Sequence, residues 1–188
     1  IGAAHGNLDA LTATGSSLVV DANAPGTVQT VLTPGNWIAL NTSGKGKPAF
    51  TQFTVTQSAS PAALPAAAAT ETAIEFGFKG PKVLHNGTIV RAVNGGFLVH
   101  MSFLIGAKSK ADGQKVIALL LAGKPMKAAR PFLNSGFVSL MNPASPGALQ
   151  QMVLNAKPGY YVEACFMNTQ DGREHTQLGM ERLVHVVK

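Results

Sequence analysis

The chain has 188 residues with 15 Lys and Arg against 9 Asp and Glu, a formal net charge of +6. That length can bury a full core as one domain or one and a half, and no apolar run approaches the roughly 18 residues of a membrane span. Helix formers do not dominate; short runs of Val, Thr, Phe and Tyr separated by Gly, Pro and Asn point to an all-β sandwich of short strands.

Residues 1–57 read as an N-terminal β segment. Within it, 15–26 parallels 136–147, with the same spacing from first Gly to closing Pro-Gly. A strand after Pro34-Gly35 then echoes the one after Pro158-Gly159. The segment is expected to be a degenerate, ligand-free half copy of the C-terminal region, with Leu18, Val20, Trp37, Ile38 and Phe53 partly buried. Residues 58–71, with Pro61, Pro65 and many alanines, form an extended connector, of which 66–69 suit one helical turn. The remaining 72–188 form the main domain. There 73–78 alternates as a strand, 83–93 reads as strands around the hairpin signal Asn86-Gly87, and His100 ends the segment 94–100. One helix is expected in an insertion, capped by Asp112, running through 116–122 and stopping at Gly123.

The insertion carries most of the charge imbalance: Lys108, Lys110, Lys115, Lys124, Lys127 and Arg130 stand against Asp112. A one-signed patch steers an oppositely charged partner, so an acidic protein or anionic surface is expected. The stretch has no aromatic interleaving beyond Phe103 and Phe132, which speaks against nucleic acid. Gly44-Lys45-Gly46-Lys47 lacks phosphate-loop spacing, and no Ser, His, Asp grouping has a nucleophile-elbow context.

Four residues carry chemistry. Cys165, the only cysteine, follows the strand-like 158–164; after nine intervening residues comes His175, and after four more Met180. Singly, a lone Cys and one of six Met are core filler, His175 a solvated loop residue and His100 a core histidine. As a set, two imidazoles, a thiolate and a thioether suit copper cycling between Cu(I) and Cu(II), because sulfur favours the first state and imidazole holds both. Zinc also accepts two imidazoles and a thiolate, and the apolar, Met-bearing context favours copper. His5, His85 and His185 show no ligand spacing.

Asn94, Gly96 and His100, the strand into Cys165 with its Pro-Gly-Tyr, and the run from His175 through Met180 to 183–186 resemble the cupredoxins, or blue copper proteins. The resemblance spans about residues 72–188. It implies a Greek-key β-sandwich and one type 1 copper held by His100, Cys165, His175 and Met180. Its implied role is electron transfer with a redox partner protein, not catalysis. The alternatives are a copper chaperone or storage protein, or a metal-free cupredoxin-like module. Two features depart from the plastocyanin pattern: a longer loop from Cys165 to His175, closer to that of copper nitrite reductases, and Met101 where many members have Asn. On this reading His175 is the exposed electron port, with Phe166, Met167 and Leu178 around it as a docking patch. The start at Ile1 is read as a sign that an upstream segment has been removed, and the unpaired Cys as a coordinated one, so an extracytoplasmic location is expected.

Overall fold

The computed structural model describes residues 8, 9, 16, 18, 19, 27–41 and 47–188. Two sheets face one another. The five-stranded sheet runs β5 (Val83–His85), β11 (Glu181–Val187), β10 (Gly159–Ala164), β7 (His100–Ala107), β8 (Leu133–Ala144). The four-stranded sheet runs β4 (Gly77–Lys79), β3 (Ala69–Ile74), β6 (Ile89–Asn94), β9 (Leu149–Val153). The expected Greek-key β-sandwich is therefore present, since the chain passes between sheets from β6 to β7, from β8 to β9 and from β9 to β10.

Alternation places the core. Val90, Ala92 and Asn94 of β6 face inward, as do Val184 and Val186 of β11. β10 is buried on both faces along Tyr161–Ala164 because its outer face also has a cover. Helix α1 (Lys110–Leu121) lays Val116 and Leu120 over Val162 and Ala164, while Tyr161 and Cys165 belong to the sandwich interior. The Tyr161 hydroxyl donates to Lys157 O at 2.8 Å, tying the strand start to the preceding corner.

Several local expectations are corrected. Ser109, not Asp112, caps α1: its hydroxyl accepts from Asp112 N–H, and Asp112 sits three residues in, where its carboxylate accepts a hydrogen bond from the Ser109 hydroxyl. A second helix, α2 (Met126–Ala129), follows, so the insertion holds two helices instead of one. Gly123, at φ 65, ends α1 as expected. Asn86-Gly87 does not make a hairpin; β5 pairs with β11 in one sheet and β6 with β3 and β9 in the other, so the turn moves the chain between sheets. The alternating run 73–78 is two strands, with Ile74 paired to Gly77 and the chain reversing at Glu75-Phe76. Residues 66–69 form no helical turn, and Ala69 opens β3. His100 begins a strand instead of ending one.

The chain divides into two compact units, residues 1–30 with 66–188, and residues 31–65. In the first, Ser145 N–H donates to Leu18 O and Leu18 N–H donates to the Ser145 hydroxyl, and Gln29 pairs with Gln151 of β9. In the second, β1 (Gly35–Asn41) and β2 (Ala49–Val55) form an antiparallel hairpin with Trp37 opposite Phe53. Trp37 is half-buried, but Ile38 and Phe53 are exposed, against expectation, because a two-stranded ribbon has no second layer to cover them. Val20 and most of 15–26 lie outside the described residues.

A buried ion triad joins the two sheets. Arg182 of β11 donates from Nε to Glu163 of β10 at 2.7 Å, from Nη2 to Glu71 of β3, and from Nη1 to Gly80 O at 3.0 Å. Ser102 of β7 adds a bond to Glu163 at 2.6 Å. Gly80, at φ 144, has no room for a Cβ, which would fall against the Glu71 carboxylate. Both carboxylates are fully buried and the guanidinium nearly so. Arg182→Ala would strand two charges in the interior, so it is expected to lower the unfolding free energy in a denaturant titration by about 3–5 kcal/mol. A loss below about 1 kcal/mol would instead class the triad with solvent-exposed pairs.

Candidate metal centre

Each chemistry-bearing side chain is delivered by a different local device. The loop from β6 to β7 is stapled by Asn94, whose amide donates to Leu98 O at 2.7 Å and Ala144 O at 2.8 Å and accepts from Gly96 N–H at 2.9 Å. That staple explains the Asn, Gly, His spacing: it sets the loop so that β7 opens on His100 with its ring inward. Cys165 continues the inward face of β10 after Tyr161 and Glu163. His175 opens a 3-10 turn, His175–Leu178, and its N–H donates to Met167 O at 2.8 Å, closing the loop that begins at Cys165. Gly179, at φ 95, ends the turn. Met180 then donates its N–H to His175 O at 3.0 Å and accepts from Cys165 N–H at 3.2 Å.

Three donor atoms from these segments converge. His100 Nδ1 lies 3.2 Å from His175 Nδ1, Cys165 Sγ lies 3.4 Å from His175 Nδ1, and Cys165 Sγ lies 3.9 Å from His100 Nδ1. A point in their plane stands about 2.0 Å from all three, at the short end of the roughly 2.0–2.3 Å at which imidazole nitrogen and thiolate sulfur bind a first-row ion. Among the described residues this is the group of His, Cys, Asp and Glu side chains with metal-holding spacing. Met180 is fully buried in the same apolar cluster as Cys165. The donor set, by size and softness, fits copper.

Burial sets the protonation of the site. His175 is pushed down to about 4, first by burial and then by the neighbouring His100, and burial also lowers His100. Both imidazoles are therefore neutral at pH 7, the form that ligates. The Cys165 thiol is pushed up to about 12 by burial, against the backbone N–H of Met101, which donates to Sγ at 3.4 Å. The hydrogen bond to sulfur thus comes from the backbone of Met101, and the side chain at that position need not supply it.

Other expectations change. His175 is not exposed: none of its surface reaches solvent, and the Phe76 ring packs edge-on to it at 5.1 Å. Met167 is buried in the core and Phe166 packs into the cluster under α1, so of the expected docking residues only Leu178 lines the adjacent surface hollow. That hollow, about 430 Å³, is bounded by Phe76, Leu98 and Leu178 on its apolar side and by Thr169, Gln170, Asp171 and Arg173 on the other. His185 stacks on Tyr160 at 4.5 Å across β10 and β11, and His85 Nδ1 faces Lys188 O at 3.1 Å. His5 lies outside the described residues. Sequence reasoning missed Glu75, Phe76 and Asp9. Asp9 accepts from Val99 N–H at 2.6 Å beside His100. Glu75-Phe76 forms the centre of a turn with no Gly, Asn or Asp at its two central positions, and Gly77 at its last position is a weak signal inside an alternating run.

Without bound metal the thiol should hold its proton far into the alkaline range. An ultraviolet titration of the metal-free protein is expected to show thiolate only near 12, against the ordinary 9.0. Thiolate appearing near its ordinary range would mean that water reaches Sγ.

No family model matches the chain, and no curated protein matches it. Among solved structures it is similar to dithionite-reduced auracyanin from Roseiflexus castenholzii, at 18% identity over 63% of this chain and 95% of that one, TM-score 0.35. It is also similar to auracyanin A, a "blue" copper protein from Chloroflexus aurantiacus, at 16% identity over 63% of this chain and 99% of that one, TM-score 0.30. A third likeness is to the copper-containing nitrite reductase of Thermus scotoductus, at 18% identity over 71% of this chain but 25% of that one, TM-score 0.37.

Proposed function

We propose that the chain holds one copper ion through His100 Nδ1, Cys165 Sγ and His175 Nδ1, with Met180 as a weak fourth ligand, and carries single electrons between partner proteins. The observation that carries this reading is the donor triangle, whose three edges of 3.2, 3.4 and 3.9 Å suit one small ion. Copper in such a site supplies one-electron cycling between Cu(I) and Cu(II).

The chain's own residues make that cycling cheap. Strand pairing and the bonds among His175, Met167, Met180 and Cys165 fix the donors, so little has to move when charge changes. The site is dry, with all four side chains fully buried. Cys165 gives up its thiol proton on binding, and the Met101 N–H remains on the sulfur.

Electron entry and exit fit the hollow beside His175, where Phe76 covers the imidazole and Leu98 and Leu178 offer apolar contact. Helix α1 packs against the turn that carries His175, and its Lys110 and Lys115 are exposed. Those charges favour an acidic redox protein, with attraction that weakens as salt rises. An extracytoplasmic location agrees with a sole cysteine engaged by metal. Among the described residues no helix is long and apolar enough to cross a membrane.

Two variants of the copper-loaded protein test the ligand roles. Cys165→Ser is expected to abolish the intense visible band, because a hydroxyl cannot replace thiolate-to-copper charge transfer; an unchanged spectrum would refute the site. Met180→Leu should keep copper and colour while raising the reduction potential, since a weak donor to the oxidised state is lost. An unchanged potential would confine Met180 to packing.

A further inference from the structure

The turn between β3 and β4 touches both imidazoles with adjacent residues. Phe76 lies edge-on to the His175 ring, while Glu75 Oε1 sits 3.3 Å from His100 Nε2, the nitrogen facing away from the donor triangle. The same oxygen accepts from Leu98 N–H at 3.0 Å and from Phe97 N–H. These two backbone bonds pin the carboxylate, so its position does not depend on the imidazole. Gly96 leaves the space it occupies; a Cβ there would collide with the Glu75 carboxylate. His100 is fully buried and the Glu75 side chain only 19% exposed, so water screens the contact weakly.

A neutral imidazole carries one N–H, and an ionised carboxylate only accepts. With Nε2 set against Glu75, the proton of His100 belongs on Nε2 and the Nδ1 lone pair faces Cys165 and His175. We propose that Glu75 is a positioning residue of the metal centre: it holds His100 in the Nε2–H tautomer and sets a negative charge against that ligand, favouring the more positive, oxidised state of the bound ion. This rests on the copper reading for the effect on potential, and on the protein alone for the tautomer. Carboxylates behind ligating histidines act this way generally, and their loss commonly costs metal affinity.

The test has an arm that needs no metal. Nitrogen-15 NMR of the histidine rings in the metal-free protein is expected to show His100 as the Nε2–H tautomer, and a mixture of tautomers in Glu75→Ala. In copper titrations Glu75→Ala should bind roughly 10–100-fold more weakly. Glu75→Gln keeps an oxygen able to accept the three N–H groups; it should keep the tautomer and raise the reduction potential by removing the charge. An Nδ1–H tautomer in the native protein, or a single Nε2–H tautomer with unchanged copper affinity in Glu75→Ala, would overturn the positioning role. An unchanged potential in Glu75→Gln would overturn the electrostatic one. Failure of the native protein to bind copper would instead sink the functional reading and leave the tautomer result to stand by itself.

Discussion

The register between β7 and β10 is the constraint on which the site depends. Ala164 lies opposite Phe103 and Val162 opposite Ile105, so the strand end that carries Cys165 comes level with the strand start that carries His100. Side chains alternate across a sheet, and a slip of one residue would turn Cys165 and Glu163 out toward α1 and bring Val162 and Ala164 into the sandwich. Such a slip would bury no thiol and would break the ion triad. The register is therefore enforced from both faces: apolar packing under α1 on one, and Arg182 with its two carboxylates on the other.

The interior pays for that precision in desolvation. Glu71 and Glu163 are nearly inaccessible and are held by one guanidinium and by Ser102. An apolar filling of similar volume would cost less to bury. The polar bonds, however, have directions, and these run between β3, β7, β10 and β11, the strands around the donors. Asn94 does the same for the loop into His100, where its three bonds replace the ladder that β6 and β7 lack as they pass between sheets. A site whose donors must lie within a few tenths of an ångström of fixed places is supported by groups that tolerate little displacement.

Burial of His175 alters how the surface relates to the centre. The imidazole sits one layer inside, packed against Phe76, and that ring lines the surface hollow together with Leu178. The loop from Cys165 to His175 folds back on itself through the Asn168 and Glu174 bridge and the Thr169 and Arg173 backbone bond. Its polar residues form one wall of the hollow, so the extra loop length builds surface next to the centre without changing the donors.

The sequence by itself determined the sandwich and the helix ending at Gly123, and it carried the cluster of ligand types Cys165, His175 and Met180, because these rest on local signals: alternation, turn residues and residue types close along the chain. It also carried the Asn94 to His100 spacing, whose cause is a local side-chain staple. It did not reveal that Glu75-Phe76 is a turn, since neither residue favours one, nor that Asn86-Gly87 changes sheets, since a turn signal does not say which strands pair. The exposure of His175 and the fates of Phe166 and Met167 depended on α1 and the β3–β4 turn, which are distant in sequence. Only the tertiary structure decided that both imidazoles present Nδ1 and that carboxylates stand behind the loop into His100. Those outcomes are set by long-range packing and by hydrogen bonds between segments up to 90 residues apart, which no local pattern encodes.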